Sequence, residues 1–378
     1  MSAQTQNVDL VHHKTKGKSS LERGLKNFCI INVDPGAGDT FCSSGRERFT
    51  LCSWTLVNGC LRTCQIFSNY GNMNSKKKKI RTLDLFCGCG GMSLGFQNAG
   101  FNIVAAFDHW KPAVDVYRAN FDHDAFECDL YDSEIEQTIK DLKPNLIIGG
   151  PPCQDFSSAG PNRHTSDRAG LIERFVDIVE ETKPRYFVME NVPRVRLRPV
   201  FTRAVRRLKA MGYGLSMRVL DASLCGVPQQ RKRLFLVGEI GAEDGFLLPY
   251  LESGLSEKPM TLRDYFGDSL GTDYYFRVPT NYTRRGVFSI DEPSLTIRGV
   301  DRPIPPGYPG HPEDPVPIGP KVRAFTVLER SYIQTFPPTF LFSGGKSDLN
   351  MMIGNAVPVK FAEYVAKALA VYIKDKNG

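Results

Sequence analysis

The chain has 378 residues, 41% of them apolar, 11% aromatic and 24% charged, with a formal net charge of +7. At about 150 residues per domain, that length suggests two domains and ample chain for a core. No run is long and apolar enough to span a bilayer, and the N-terminus lacks a signal peptide's hydrophobic stretch, so a cytoplasmic protein is expected. The mild basic excess suits a polyanionic partner if it gathers on one face. Ten cysteines in a chain of this kind do not read as a disulfide framework. Cys60 and Cys64, with His12 and His13 far upstream, do not make a convincing zinc spacing, and no metal is expected.

Residues 1–78 are rich in Ser, Gly, Asn, Thr and Cys and show no sustained period. They read as a disordered or weakly structured extension, closed by the run Lys76–Lys79. Met73, opening MNSKKKKIRTLDLF, reads as an alternative start.

From Ile80 the texture changes. Arg81–Phe86 has a strand pattern, Cys87–Gly91 is a glycine-rich turn, and Met92–Phe96 starts an apolar helix. Strand, glycine turn and helix open a doubly wound nucleotide-binding sheet, although tight turns use such loops too. A second strand, Ile103–Phe107, ends in Asp108, and a third, Ala125–Cys128, is followed by Asp129. Carboxylates at those strand tips can accept hydrogen bonds from a nucleoside, or can cap helices and turns.

The centre of the chain is Leu146–Ser158, LIIGGPPCQDFSS. Two prolines after a buried-looking strand make a stiff loop that holds Cys153 where open α/β sheets bind ligands. A nucleophile and a space-filling loop cysteine are equally compatible with these residues alone. A helix comes next, with Leu171, Ile172, Phe175, Ile178 and Val179 on one face, and then the strand Tyr186–Met189 delivers Glu190-Asn191-Val192.

Between Pro193 and Arg218 lie eight basic residues and no acidic one, which favours a phosphate-facing surface. In Val227–Gly238, VPQQRKRLFLVG, a basic cluster runs into a buried strand. Residues 241–320 turn irregular, rich in Pro, Gly, Tyr, Arg and Thr, and read as a smaller second domain. There Arg284, Arg285, Arg298 and Arg302, with Tyr274, Tyr275 and Tyr282, are candidates to read base edges and to stack. Gly354–Pro358 leads into a closing helix with Phe361, Val365, Ala368, Leu369 and Tyr372 on one face. That helix should pack back on the first sheet, making 241–320 an insertion between 79–240 and 321–378.

From Ile80 to Ile373 the chain resembles the cytosine-5 DNA methyltransferases of bacterial restriction-modification type. DLFCGCGG (84–91), GGPPCQDFS (149–157), ENV (190–192), QQRKR (229–233) and GNAVP (354–358) carry the resemblance in order and spacing. It covers nearly four-fifths of the chain and leaves residues 1–78 unexplained. It implies a doubly wound, Rossmann-like α/β domain that uses S-adenosylmethionine, with a small irregular target-recognition domain inserted before the C-terminal helix. The implied partner is double-stranded DNA, acted on by a monomer, alongside a possible cognate endonuclease of the same site.

Carried onto this sequence, the resemblance places the cofactor on Asp84, Phe86, Gly88, Gly90, Gly91, Asp108, His109, Asp129, Leu130 and Asn355. Asp108 stands where glutamate is usual and has one methylene less reach to the ribose. Cys153 would add to C6 of a flipped cytosine and Glu190 would bond its N3 and amino group. Arg233 would hold O2, with Arg231 and Gln229 in support. Pro152, Gln154 and Ser157 would close over the base, and Arg284, Arg285 and Arg298 would contact DNA. Rival readings are the same chemistry on tRNA, a non-catalytic DNA-binding protein, and a cysteine hydrolase. The long insertion favours DNA over tRNA. The set Cys153, Glu190 and Arg233 favours catalysis, and the lack of a Cys–His pairing argues against a hydrolase.

Overall fold

The computed structural model describes residues 80–152, 170–279, 283–300 and 302–377, together with the backbone of five short strands between residues 30 and 65. The chain divides into two compact units, Met1–Lys77 and Lys78–Gly378. In the first, Ile30–Ile31, Cys42–Ser44 and Glu47–Arg48 pair antiparallel, and Ser53–Val57 forms a hairpin with Cys60–Gln65. The side chains of this unit, Met73 and the Lys76–Lys79 run lie outside the described residues.

The second unit is built on seven strands: β1 (Arg81–Leu85), β2 (Asn102–Asp108), β3 (Asp124–Glu127), β4 (Leu146–Gly149), β5 (Tyr186–Asn191), β6 (Tyr213–Asp221) and β7 (Lys232–Ile240). Their order in the sheet is β6-β7-β5-β4-β1-β2-β3, parallel except for β7, which runs antiparallel to β5 and β6. The near-continuous apolar runs of the central strands are those of a sheet buried on both faces. Alternate residues go to opposite cores. Leu146, Ile148, Tyr186, Val188, Phe235 and Val237 face one, and Ile147, Phe187, Met189, Leu234 and Leu236 face the other.

Helices α1 (Gly91–Asn98) and α8 (Val359–Lys376) cover the first face, through Met92, Phe96, Phe361, Val365 and Leu369. The closing helix therefore packs back on the sheet, with the face read from the sequence. The opposite face carries α3 (Ser133–Asp141), α4 (Gly170–Thr182) and α5 (Pro199–Ala210), with Ile139, Phe175, Ile178, Val179 and Leu208 buried. Helix α2 (Lys111–Arg118) belongs to a third cluster, which it shares with Leu262, Tyr275, Phe288, Ile297 and Phe325.

Residues beyond 240 do not turn irregular at once. Helix α6 (Leu248–Ser253) buries Leu251 in the first core, and the Tyr364 hydroxyl of α8 donates to the Leu251 carbonyl at 2.6 Å. The core of the seven-stranded sheet thus continues past residue 241, the boundary expected from composition. The irregular part has a small sheet in which β8 (Tyr274–Phe276) pairs with β9 (Val287–Ser289) and with Val322–Arg323.

Candidate active site

Register alone brings the motifs to one edge. Leu85 lies opposite Gly149, and Gly149 opposite Met189, so β1 and β4 end level and β5 runs on through Glu190 and Asn191. Three segments leave from that carboxyl edge: Phe86 with the glycine turn, Gly150–Pro152, and Glu190–Asn191. The antiparallel β7 enters there with Arg233. In open α/β sheets this edge, at the switch between β1 and β4, is where ligands bind.

Glu190 is 8% exposed and stands between two neighbours. The Arg233 Nε lies 2.9 Å from its Oε1, and a Cβ on Gly150 would come within 3.3 Å of its Oε2. Gly150 lets the backbone pass that close to the carboxylate. Asn191 is also buried, and its Nδ2 donates to the Pro151 carbonyl at 2.9 Å. Pro152, half-buried, is the last residue described before Cys153. Cys153, Gln154 and Ser157 lie outside the described residues.

On the other side of β1, the turn over Phe86–Gly90 is left-handed at Phe86 (φ 60°), Gly88 (φ 53°) and Gly90 (φ 97°). A half-buried phenylalanine in that region is strained, as backbone at functional sites often is. A Cβ on Gly88 would meet nothing within 4 Å, so the turn has open space in front of it. Asp108 braces the turn. Its Oδ2 accepts from the Gly88 amide at 2.8 Å and its Oδ1 from the Trp110 amide at 2.9 Å. Each oxygen keeps a second lone pair, so the carboxylate can hold the turn and still accept from a ligand hydroxyl. His109 is exposed, with Nδ1 3.5 Å from Asp108 Oδ1. Asp129 is exposed and closes a turn by accepting from the Tyr131 amide at 3.0 Å, while Leu130 is buried. Gly91 is buried at the start of α1, and Asn355 is exposed at the end of α7 (Lys346–Asn355).

Beneath the turn runs a buried chain that the sequence did not reveal. The Ser93 hydroxyl donates to Asp84 Oδ2 at 2.6 Å, the Tyr117 hydroxyl to Ser93 at 2.7 Å, and His123 Nε2 lies 2.7 Å from the Tyr117 oxygen. Burial pushes the Asp84 carboxyl up from 3.8 to about 7, against the lowering effect of Ser93, and its Oδ1 has no hydrogen-bond partner among the described residues. Burial also pushes the Cys87 thiol well above its ordinary range and that of Cys89 to about 12, which leaves both unreactive.

Several expectations need correction. Arg231 is fully buried and is a strut rather than a reacting group. It donates to the carbonyls of Ile297 (3.2 Å), Gly354 (3.1 Å) and Ala356 (3.1 Å). Gln229 is likewise buried, bonded to Gln334 at 2.6 Å and to the Ile297 amide at 2.9 Å. Both tie the segment after β9 to the last motif, and neither presents a free fork to a substrate. Arg285 pairs with Glu292 (3.1 Å) and lies over the Phe288 ring, and Tyr275 is a core residue. Arg284, Arg298 and Arg302 are exposed, and Tyr282 lies outside the described residues. Arg298 lines a cavity with Arg277, Val278 and Val300.

The basic run is largely neutralised from other elements. Arg203 pairs with Glu173 (2.8 Å), Arg207 with Asp177 (2.7 Å) and Glu180, Lys209 with Asp244 (2.7 Å), and Arg218 with Glu252 (3.2 Å). Of the expected phosphate surface, Arg194 and Arg196 remain exposed on the short helix Pro193–Leu197 directly after β5, and Arg206 remains exposed on α5.

The sequence model of the C-5 cytosine-specific DNA methylases matches residues 80–370. The Type II methyltransferase M.HindV of Haemophilus influenzae is 51% identical over 298 residues, 78% of this chain and 98% of that protein. The Type II methyltransferase M.HgiDI of Herpetosiphon aurantiacus is 50% identical over 297 residues, 78% of this chain and 95% of that protein. The crystal structure of S. pombe Dnmt2 methyltransferase is similar in fold, with a TM-score of 0.59 at 17% identity, covering 80% of this chain and 100% of that one. A family match over most of its length and relatives half identical across nearly their whole sequences establish that the chain belongs to the C-5 cytosine-specific DNA methylases and is a DNA cytosine-5-methyltransferase.

Proposed function

We propose that the protein methylates C5 of a flipped-out cytosine within a short double-stranded DNA site, as the modification enzyme of a type II restriction-modification system. The relatives' names support the system, and a cognate endonuclease would act on the same site without touching this chain. When bound, S-adenosylmethionine supplies the electrophilic methyl group. The residues present fit it: an open left-handed turn at Phe86–Gly90, a carboxylate at Asp108 with lone pairs to spare, and Asp129 exposed beyond it.

In this reading Cys153 adds its sulfur to C6 of the cytosine, which turns C5 into a nucleophile. Glu190 bonds N3 and the amino group and steadies charge on the ring as sulfur adds. Arg233 orients Glu190 and reaches O2. After methylation, C5 loses its proton to water and the thiolate leaves C6. The target atom is buried in a duplex, so the base must be extruded, at a cost of about a few kcal/mol. Gln154 and Ser157 close over it, while Arg194, Arg196, Arg284 and Arg298 face the DNA.

The observation that carries this reading is the Glu190–Arg233 pair, held one strand from Pro151–Pro152, the residues that precede Cys153 in the sequence. The test compares wild type with Cys153→Ser on duplex DNA. Wild type should form 5-methylcytosine, and the variant should form none while still binding the DNA. Equal turnover by both overturns the mechanism.

A further inference from the structure

We propose that Arg174 is a positioning residue for the adenine end of the cofactor site, acting through the Leu130 carbonyl. The inference rests on the S-adenosylmethionine reading above. Arg174 lies in the second turn of α4 and is 5% exposed. Its Nε donates to the Leu130 carbonyl at 2.8 Å, its Nη1 to Glu181 at 3.2 Å and its Nη2 to Glu136 at 3.3 Å. The guanidinium carbon also lies 5.6 Å from the centre of the Tyr131 ring.

One side chain thus gathers α3, α4 and the turn Asp129–Tyr131. The Asp129 carbonyl accepts from the Asp132 amide at 3.0 Å, which joins the turn to the start of α3. Asp129 accepts from the Tyr131 amide within the turn, and Leu130 is anchored by its buried side chain. The Leu130 carbonyl is where a side chain of α4 takes hold of the turn's backbone. Helix α4 begins close by, since a Cβ on Gly170 would sit 2.7 Å from the Tyr131 hydroxyl.

A buried guanidinium is an expensive way to pack a helix, because burying a charge costs more than a well-fitted aliphatic side chain. Two carboxylates offset that cost, and the remaining donor goes to a backbone carbonyl rather than a third acid. The fork is rigid and always charged, so it sets the direction as well as the distance of the bond. Ligand-facing groups of the turn are thereby aimed from behind.

The test uses the full-length chain with Arg174→Met, which keeps the stem, and Arg174→Lys, which keeps the charge between Glu136 and Glu181 but loses the fork. Glu239→Gln serves as a control. Glu239 accepts from Tyr372 (2.6 Å) and Lys376 (2.8 Å) at the far end of α8, so its loss lowers stability without reaching the site. Binding of S-adenosylhomocysteine is measured without DNA, and KM for each substrate and the melting temperature alongside.

Arg174→Met should weaken S-adenosylhomocysteine about tenfold, with KM for DNA within about twofold, as expected for loss of one charge-assisted bond. Arg174→Lys should recover the melting temperature but only part of the affinity, and Glu239→Gln should lower the melting temperature alone. Failure of wild type to bind the probe would bring down the cofactor reading itself. Wild-type binding with unchanged affinity in Arg174→Met would overturn the role of Arg174 and leave that reading intact. If Arg174→Met does not fold, Arg174→Lys decides, and wild-type affinity in it overturns the proposal.

Discussion

Asn191, at the end of β5, donates its side-chain amide to the Pro151 carbonyl at 2.9 Å, so the strand carrying Glu190 and the loop carrying Cys153 are bonded to each other. Asn191→Ala leaves that buried carbonyl unmet, at a cost of about 1–3 kcal/mol. The heavier effect should be on rate, because a misplacement of about 1 Å at a reacting group can cost about 10²-fold. Steady-state kinetics should show kcat falling with KM for S-adenosylmethionine unchanged, and an unaltered kcat would separate the bond from catalysis.

Glu190→Gln keeps the volume beside Gly150 but removes both the acid and the partner of Arg233. Turnover should drop by about 10²–10⁴, the range of positioned acid–base groups, while the variant still binds duplex DNA. Single-turnover methylation with a parallel binding titration checks both. A variant within a few-fold of wild type would remove Glu190 from the chemistry.

Asp84 gives a pH signature opposite to the usual carboxylate. Burial raises it from 3.8 to about 7, so the folded chain holds a proton that the unfolded chain releases between those values. Stability from this group is present below pH 3.8 and is lost as pH rises through about 7. Asp84→Asn removes the cost of ionising it. The variant's stability relative to wild type should therefore grow from pH 3.8 to about pH 7, and level off above it, in denaturant titrations. A difference that stays constant with pH would contradict a buried, protonated Asp84.

Arg298 is exposed on a cavity that it lines together with Arg277. If it reads a guanine edge, Arg298→Ala should relax discrimination at one base pair by about 1–3 kcal/mol. Binding to a panel of singly substituted sites measures this. A uniform loss across sequences with a shallower salt dependence would make it a phosphate contact instead.

The sheet was legible because its signals are local. Short apolar runs, a glycine turn and prolines after β4 are all read within short stretches, and they place Phe86, Gly150 and Glu190 at strand ends. What misled were side chains whose partners are distant in sequence. Arg231 and Gln229 sit in a motif beside the site, yet their bonds go to Ile297, Gln334, Gly354 and Ala356. The basic stretch around α5 looked unopposed because its acids lie on α4 and after β7. Asp108 read as a nucleoside contact or a cap, and its bond to the Gly88 amide, twenty residues back, shows it bracing the turn. Arg174 was hidden for the same reason, on a helix whose apolar face is all that periodicity reports.

Methylation of cytosine at C5 in one short DNA site is tested most directly by base-resolution 5-methylcytosine sequencing. The host is a methylation-free bacterium expressing the full chain, with its tRNA sequenced in parallel and Cys153→Ser as the control. Methylation at one recurring DNA site with wild type, absent with Cys153→Ser, is the predicted result. A signal confined to tRNA, or DNA methylation that persists in Cys153→Ser, would contradict it.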